Sequence, residues 1–171
     1  MIISLTGFMG CGKSSVGREL SRLLCCPFMD LDSVIEKREG RSIPEIFATE
    51  GEAAFRRMEA EALRKCIYGQ ASDKLVVALG GGTVMTEECA KIVHEKTVCI
   101  YLQASVETLM DHLAGEVDNR PMLAGNLRTR IEELMSIRSA TYEKTAHIMI
   151  DTDGKTIEEI AREISIKGLF I

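Results

Sequence analysis

An α/β fold built on one parallel sheet is what this sequence predicts, on three observations. Short apolar stretches alternate with helical ones from end to end, no linker, repeat or low-complexity segment interrupts them, and a glycine-rich turn joins the first strand to the first helix. At 171 residues with 46% hydrophobic side chains, the chain has enough apolar material for a substantial core and reads as one domain, 1–171.

The elements follow in order. The apolar run Met1-Ile2-Ile3-Ser4-Leu5 predicts a strand at about 1–6, and a helix at about 13–24 follows its glycine turn. A second strand at about 27–30 leads through Asp30-Leu31-Asp32 into a helix at about 32–39, which Gly40 stops; Gly51 is a second stop, with a helix at about 52–68 beyond it. The third strand, about 74–79, runs Lys74-Leu75-Val76-Val77-Ala78-Leu79 into Gly80-Gly81-Gly82. A helix at about 86–94 and a strand at about 97–102 come next, then a helix at about 105–113 with Ser105 as its cap. Residues 114–125 have glycine near both ends and form a loop longer than a compact domain usually keeps without a use, so a hinged lid is expected there. A helix at about 126–144, a strand at about 146–150 and a helix at about 155–166, announced by Thr156 with Glu158-Glu159, close the chain.

Charge and cysteine usage narrow the class. A net charge of −5 argues against broad binding to nucleic acid or anionic membrane, which reward an excess of Lys and Arg. No apolar run approaches the roughly 20 residues a membrane span requires. Six cysteines in a chain of this length, with no signal sequence ahead of them, read as reduced thiols in the cytoplasm. Their spacing, and that of His94, His112 and His147, does not suit a structural zinc site. A small-molecule partner and a monomer are expected.

Gly7-Phe8-Met9-Gly10-Cys11-Gly12-Lys13-Ser14 fills every fixed position of the phosphate-binding pattern G-x-x-x-x-G-K-S between a strand and a helix. Glycines let successive backbone N–H groups turn onto one anion, and the helix that starts near Lys13 adds its positive end. Gly10, Cys11, Gly12, Lys13, Ser14 and Ser15 are therefore the candidate ATP-binding residues, with Lys13 reaching the β- and γ-phosphates and Ser14 a Mg²⁺ ligand. GTP specificity is not expected, because Asn119 and Asn126 are followed by Arg120 and Leu127 rather than by an Asn-Lys-x-Asp pattern. The third strand ends in glycines where many such ATPases keep an acidic metal partner, so the charge must come from elsewhere. Asp30 and Asp32 supply it: strand alternation sends both carboxylates to one side, where one can lie near Mg²⁺ and the other can accept the proton of an attacking hydroxyl. The competing reading is that Asp32 caps the next helix and Asp30 closes the turn.

In Phe55-Arg56-Arg57-Met58-Glu59, Arg56 and Glu59 share a helix face and Glu52 lies one turn before. Two such acids can hold the Arg56 guanidinium in a pose that clamps a carboxylate, although an arginine on a solvated face has the same pattern. Gly80, Gly81 and Gly82 let a ligand approach the backbone, or make a simple turn.

Taken together, these residues resemble the shikimate kinase family over nearly the whole chain. The phosphate loop Gly7 to Ser15, Asp30 and Asp32, Phe55-Arg56 with Glu59, Gly80-Gly81-Gly82, Arg120-Pro121-Met122-Leu123, and Arg138 with Tyr142 match its motifs in order. The resemblance implies a three-layer P-loop kinase fold, a five-stranded parallel sheet ordered 2-3-1-4-5 flanked by helices, with acceptor-binding helices at about 32–62 and a mobile lid at about 114–125. It implies that ATP with Mg²⁺ phosphorylates the 3-hydroxyl of shikimate in aromatic amino-acid biosynthesis. Asp32, Arg56, the glycines Gly80, Gly81 and Gly82, and Arg138 would hold the acceptor; Lys13, Asp32 and Arg120 would be catalytic, Arg120 also binding ATP as the lid closes; Ser14 and Asp30 would serve the metal. Three positions depart from the family's habit. No arginine stands just ahead of the lid in Asp111-His112-Leu113-Ala114, Ile157 replaces a common proline, and Ser15 a frequent threonine. The alternatives are another small-metabolite kinase of this fold, acting on gluconate or a nucleoside monophosphate, and a nucleotide-binding regulator that transfers nothing.

Overall fold

The computed structural model describes residues 1–114, 121–123 and 125–168. Five strands, β1 (Ile2–Thr6), β2 (Phe28–Asp30), β3 (Leu75–Ala78), β4 (Val98–Gln103) and β5 (Ile148–Asp151), form one sheet in the order β2-β3-β1-β4-β5. Every neighbouring pair is parallel, with Leu5 beside Ala78 on one side and Ile100 on the other. Helices α1 (Lys13–Leu23), α2 (Leu31–Glu39), α3 (Ile43–Tyr68), α4 (Glu87–Lys96), α5 (Val106–Leu113), α6 (Leu127–Thr145) and α7 (Ile157–Lys167) flank it. All four residues of β3 are buried, as a strand covered on both faces requires, and α1 packs on α7 and β3 while α6 packs on α4, α5 and β4. Burying each large aliphatic side chain in this core contributes about 1.5–3 kcal/mol.

One close approach sets the geometry of the cleft. Gly17, in the interior of α1, faces Phe28 of β2 so tightly that a Cβ there would sit 2.5 Å from the ring carbon Cε2. Glycine in a helix costs about 1 kcal/mol relative to alanine. Here it lets α1 lie against β2, and Ser14, one turn earlier, meets Asp30 at the end of that strand.

Two expectations need correcting. The stretch before Gly51 is helical: α3 begins at Ile43, with Ser42 capping the Glu45 N–H, Glu45 returning to the Ser42 N–H, and a proline in the first turn. Gly51 does interrupt it, at φ 81° and ψ 175°, so the helix turns a corner rather than starting there. The second difference concerns the acid pair. β2 ends at Asp30, and Asp32 belongs to the first turn of α2. Helical geometry, not strand alternation, places it.

Candidate active site

The carboxyl ends of β1, β2 and β3 open into a cavity of about 730 Å³. On its floor the phosphate loop turns through Gly7, Gly10 and Gly12 at φ 143°, 77° and 95°, conformations that residues with a Cβ resist. Gly12 is the N-cap of α1 and offers no side-chain cap, and the first turn carries no acid, so the helix N-terminus is left for an anion. Lys13 is folded back onto the loop, donating from Nζ to the carbonyls of Gly7 at 2.8 Å and Phe8 at 2.9 Å, with the Cys11 sulfur at 3.8 Å. Its charge is thus stored beside the place where phosphates are expected.

The wall toward β2 carries hydroxyl and carboxylate oxygens. The Ser14 hydroxyl donates to Asp30 Oδ2, while Asp30 Oδ1 accepts from the Ser33 N–H at 3.1 Å as the N-cap of α2. The cap expected of Asp32 thus falls to Asp30, which meets Ser14 with one oxygen and caps α2 with the other. Asp32 lines the cavity, and its Oδ1 would lie 2.8 Å from a Cβ on Gly80.

Across the cavity stands the arginine clamp. Arg56 Nη1 donates to Glu59 Oε1 at 2.8 Å and Nη2 to Glu52 Oε1 at 3.3 Å. Burial alone would make the guanidinium easier to deprotonate; the charge and hydrogen bonds of Glu59, then Glu52, outweigh it and raise its pKa. Glu59 is 1% exposed and also accepts from the Thr83 hydroxyl at 2.8 Å, so the acid that aims Arg56 is itself fixed. The triple glycine makes room for these groups. A Cβ on Gly82 would lie 2.4 Å from Arg56 Nη2, and one on Gly80 would lie 3.0 Å from Glu59 Oε2.

Arg138 reaches the same cavity from α6. It is 3% exposed, and its Nη1 has no hydrogen-bond partner among the described residues. A buried guanidinium nitrogen without an acceptor is costly unless an anion completes it, so this corner could take a carboxylate or phosphate oxygen. Ile43, Pro44, Phe47 and Phe55 supply an apolar wall beside the charges.

A second cavity of about 530 Å³ adjoins the loop and is lined by Cys11, Gly12, Ser15, Thr152, Thr156 and Ile157 among others. His112 borders both cavities, with Nδ1 2.6 Å from the Gly10 carbonyl. Gly10, Gly12, Lys13, Ser14, Ser15, Asp30, Asp32, Arg56, Gly80, Gly81, Gly82 and Arg138 thus come together around the main cavity, and Cys11 faces the second with a buried thiol. Arg120 lies outside the described residues, as does most of the expected lid; Pro121–Leu123 form a short 3₁₀ turn, and Met122 borders the main cavity.

The sequence model of the family described as Shikimate kinase matches residues 9–167. The chain belongs to the shikimate kinase family. Among relatives, the shikimate kinase of Thermus thermophilus is 46% identical over 163 residues, covering 95% of this chain and 86% of that protein. The shikimate kinase of Dictyoglomus turgidum is 41% identical over 164 residues, covering 95% and 94%. Among solved structures, shikimate kinase from Acinetobacter baumannii in complex with shikimate superposes with a TM-score of 0.93 at 34% identity, covering 99% of this chain and 93% of that one. Shikimate kinase from Aquifex aeolicus gives 0.84 at 35% identity, covering 100% and 99%. The sheet order and flanking helices are those expected of the kinase fold.

Residue patterns left three features of this family member unread. The apolar wall from Ile43, Pro44 and Phe47 follows from the overlooked start of α3, and Ser42-Ile43-Pro44-Glu45 was its legible signal. The anchoring of Glu59 by Thr83, and the contact of His112 with Gly10, cross long sequence separations that no local pattern encodes.

Proposed function

We propose that this chain, working as one kinase domain, transfers the γ-phosphoryl group of ATP to the 3-hydroxyl of shikimate. The products are shikimate 3-phosphate and ADP, on the route to chorismate and the aromatic amino acids. One observation carries the reading: the phosphate loop, the Asp32 carboxylate and the Arg56 and Arg138 guanidiniums line a single cavity. A carboxylated polyol suits that combination, because two guanidiniums can hold its carboxylate while Asp32 receives a hydroxyl.

The acceptor oxygen forms a bond to the γ-phosphorus as the bond from that phosphorus to the bridging oxygen breaks. ADP leaves, and the hydroxyl proton passes to Asp32. Asp32 also orients the hydroxyl, which a loose transition state needs more than it needs a strong base. Lys13 exchanges the Gly7 and Phe8 carbonyls for phosphate oxygens and stabilises charge as it spreads over them. Arg120 is assigned the same task from the lid side, arriving as the acceptor site closes and water is excluded. The loop amides of Gly10 through Ser15 hold the phosphate chain, and the second cavity beside Cys11 takes the nucleoside end.

Mg²⁺ fits the oxygens of Ser14 and Asp30, a hydroxyl and a carboxylate already in contact, since this ion prefers few protein ligands and keeps waters and phosphates for the rest. Bound there, it would neutralise phosphate charge during transfer. Among the described residues no helix is long and apolar enough to cross a membrane, which suits a chain acting on small dissolved metabolites in the cytoplasm; a monomer would suffice, because one chain lines the cavity.

A coupled assay of ADP release tests this, with shikimate, gluconate and AMP supplied separately. Turnover with shikimate alone is expected. Preference for either other acceptor would reassign the substrate, and no acceptor-dependent ADP release would make the chain a binding protein.

A further inference from the structure

Tyr142 lies one turn after Arg138 on α6, is fully buried, and donates its hydroxyl to the Gly81 carbonyl. Its ring packs on Tyr101 of β4, centroids 5.1 Å apart and planes tilted by 38°. Burial pushes the phenol's pKa upward despite nearby Arg138, so the group stays a neutral donor at any working pH.

We propose that Tyr142 is a positioning residue for the acceptor, setting the orientation of the Gly81-Gly82 peptide through that hydrogen bond. The Gly81–Gly82 peptide bond is trans, so the Gly81 carbonyl and the Gly82 N–H of one planar unit point in opposite directions. Fixing the carbonyl on the α6 side turns the Gly82 N–H away from α6. Neither the Gly81 nor the Gly82 N–H has a hydrogen-bond partner among the described residues, and both residues line the cavity. A glycine run is where such fixing matters most, because without Cβ atoms a peptide can flip at little steric cost. Side chains on three sides make the same point: a Cβ on Gly81 would sit 3.2 Å from Met9 Cγ and 3.5 Å from Arg138 Nη1, and one on Gly82 would strike Arg56. Tyr142 thus ties the strand-end glycines to the helix that carries Arg138, and the N–H donors keep register with both guanidiniums.

The inference rests on the proposed acceptor reaction, and the test separates the two. Tyr142→Phe keeps the ring against Tyr101 and removes one oxygen. Its KM for shikimate should rise about three- to tenfold, the loss of one oriented hydrogen-bonding unit, with kcat within about twofold and KM for ATP unchanged. Tyr101→Phe, which removes a hydroxyl from the other ring of the pair, should leave the shikimate KM unchanged. An unchanged KM in Tyr142→Phe would overturn the assignment, as would an equal rise in Tyr101→Phe or a chain that no longer folds for want of that oxygen. If the unsubstituted protein does not turn over shikimate, the acceptor reading falls instead.

Discussion

The phosphate-loop half of the cleft is one continuous stretch of backbone, whereas the acceptor half is assembled from four separated segments. Gly7 through Ser15 make the first with amide groups, a helix terminus and one lysine. The second takes Asp32 from α2, Arg56 and Glu59 from α3, Gly80-Gly81-Gly82 after β3, and Arg138 with Tyr142 from α6. On the proposed reading, a backbone cradle would recognise what all nucleoside triphosphates share, and side chains on separate elements would recognise one acceptor. Damage to the first should therefore stop turnover with any acceptor, and damage to the second should read out mainly in acceptor KM.

The largest effect is expected at the loop. Lys13→Ala should lower kcat by about 10³-fold or more, since a charge-stabilising donor in a phosphoryl-transfer site is lost, with the fold retained by circular dichroism. Near-normal ADP release would remove the loop from the chemistry. Glycine substitutions then separate the halves by two physical routes. Gly12→Ala meets no atom within 4 Å but forces alanine to φ 95°, so it should strain the cradle and raise KM for ATP. Gly82→Ala has an ordinary φ, yet its Cβ would press on Arg56, so it should raise KM for shikimate about tenfold and leave that for ATP alone. Both variants affecting both constants equally would erase the distinction.

Arg56→Ala comes next, with about a tenfold rise in acceptor KM from one charged contact of roughly 1.5 kcal/mol. An unchanged KM would return Arg56 to a structural ion pair with Glu59. The smallest effect belongs to the opposite end of the sheet. His147 stacks on His94 at 4.6 Å and accepts from the Cys99 N–H at 3.0 Å; burial, then the neighbouring imidazole, lowers its pKa below the ordinary 6.5. The unfolded chain then binds the proton more readily, so stability is fully present above about pH 6.5 and declines as pH falls below it. A modest fall in melting temperature between about pH 7.5 and about pH 5.5, reduced in His147→Gln, would be the sign of it.

The same contrast explains what could be read from residues alone. β1, the glycine turn and α1 were legible because strand, motif and helix are adjacent, and local sterics decide them. The sheet order and the candidacy of Arg138 came only through the family resemblance, and Arg56 was a candidate by its spacing from Glu52 and Glu59, although nothing in an arginine by itself distinguishes a buried clamp from a solvated helix face. Asp32 shows how a right grouping can rest on a wrong element: the strand stops two residues short of it, and a helical turn delivers the carboxylate. The early start of α3 was missed because Gly51 looked like a boundary, although the Ser42 and Glu45 capping pair announces a helix before it.

On the proposed mechanism the two halves meet at Asp32, so steady-state kinetics of Asp32→Asn with ATP and shikimate is the sharpest measurement. A fall in kcat of about 10²-fold with both KM values within a few-fold of the unsubstituted protein is expected from a group that receives the hydroxyl proton and orients the oxygen. A kcat within about threefold, with both KM values unchanged, would contradict the meeting of donor and acceptor at this carboxylate.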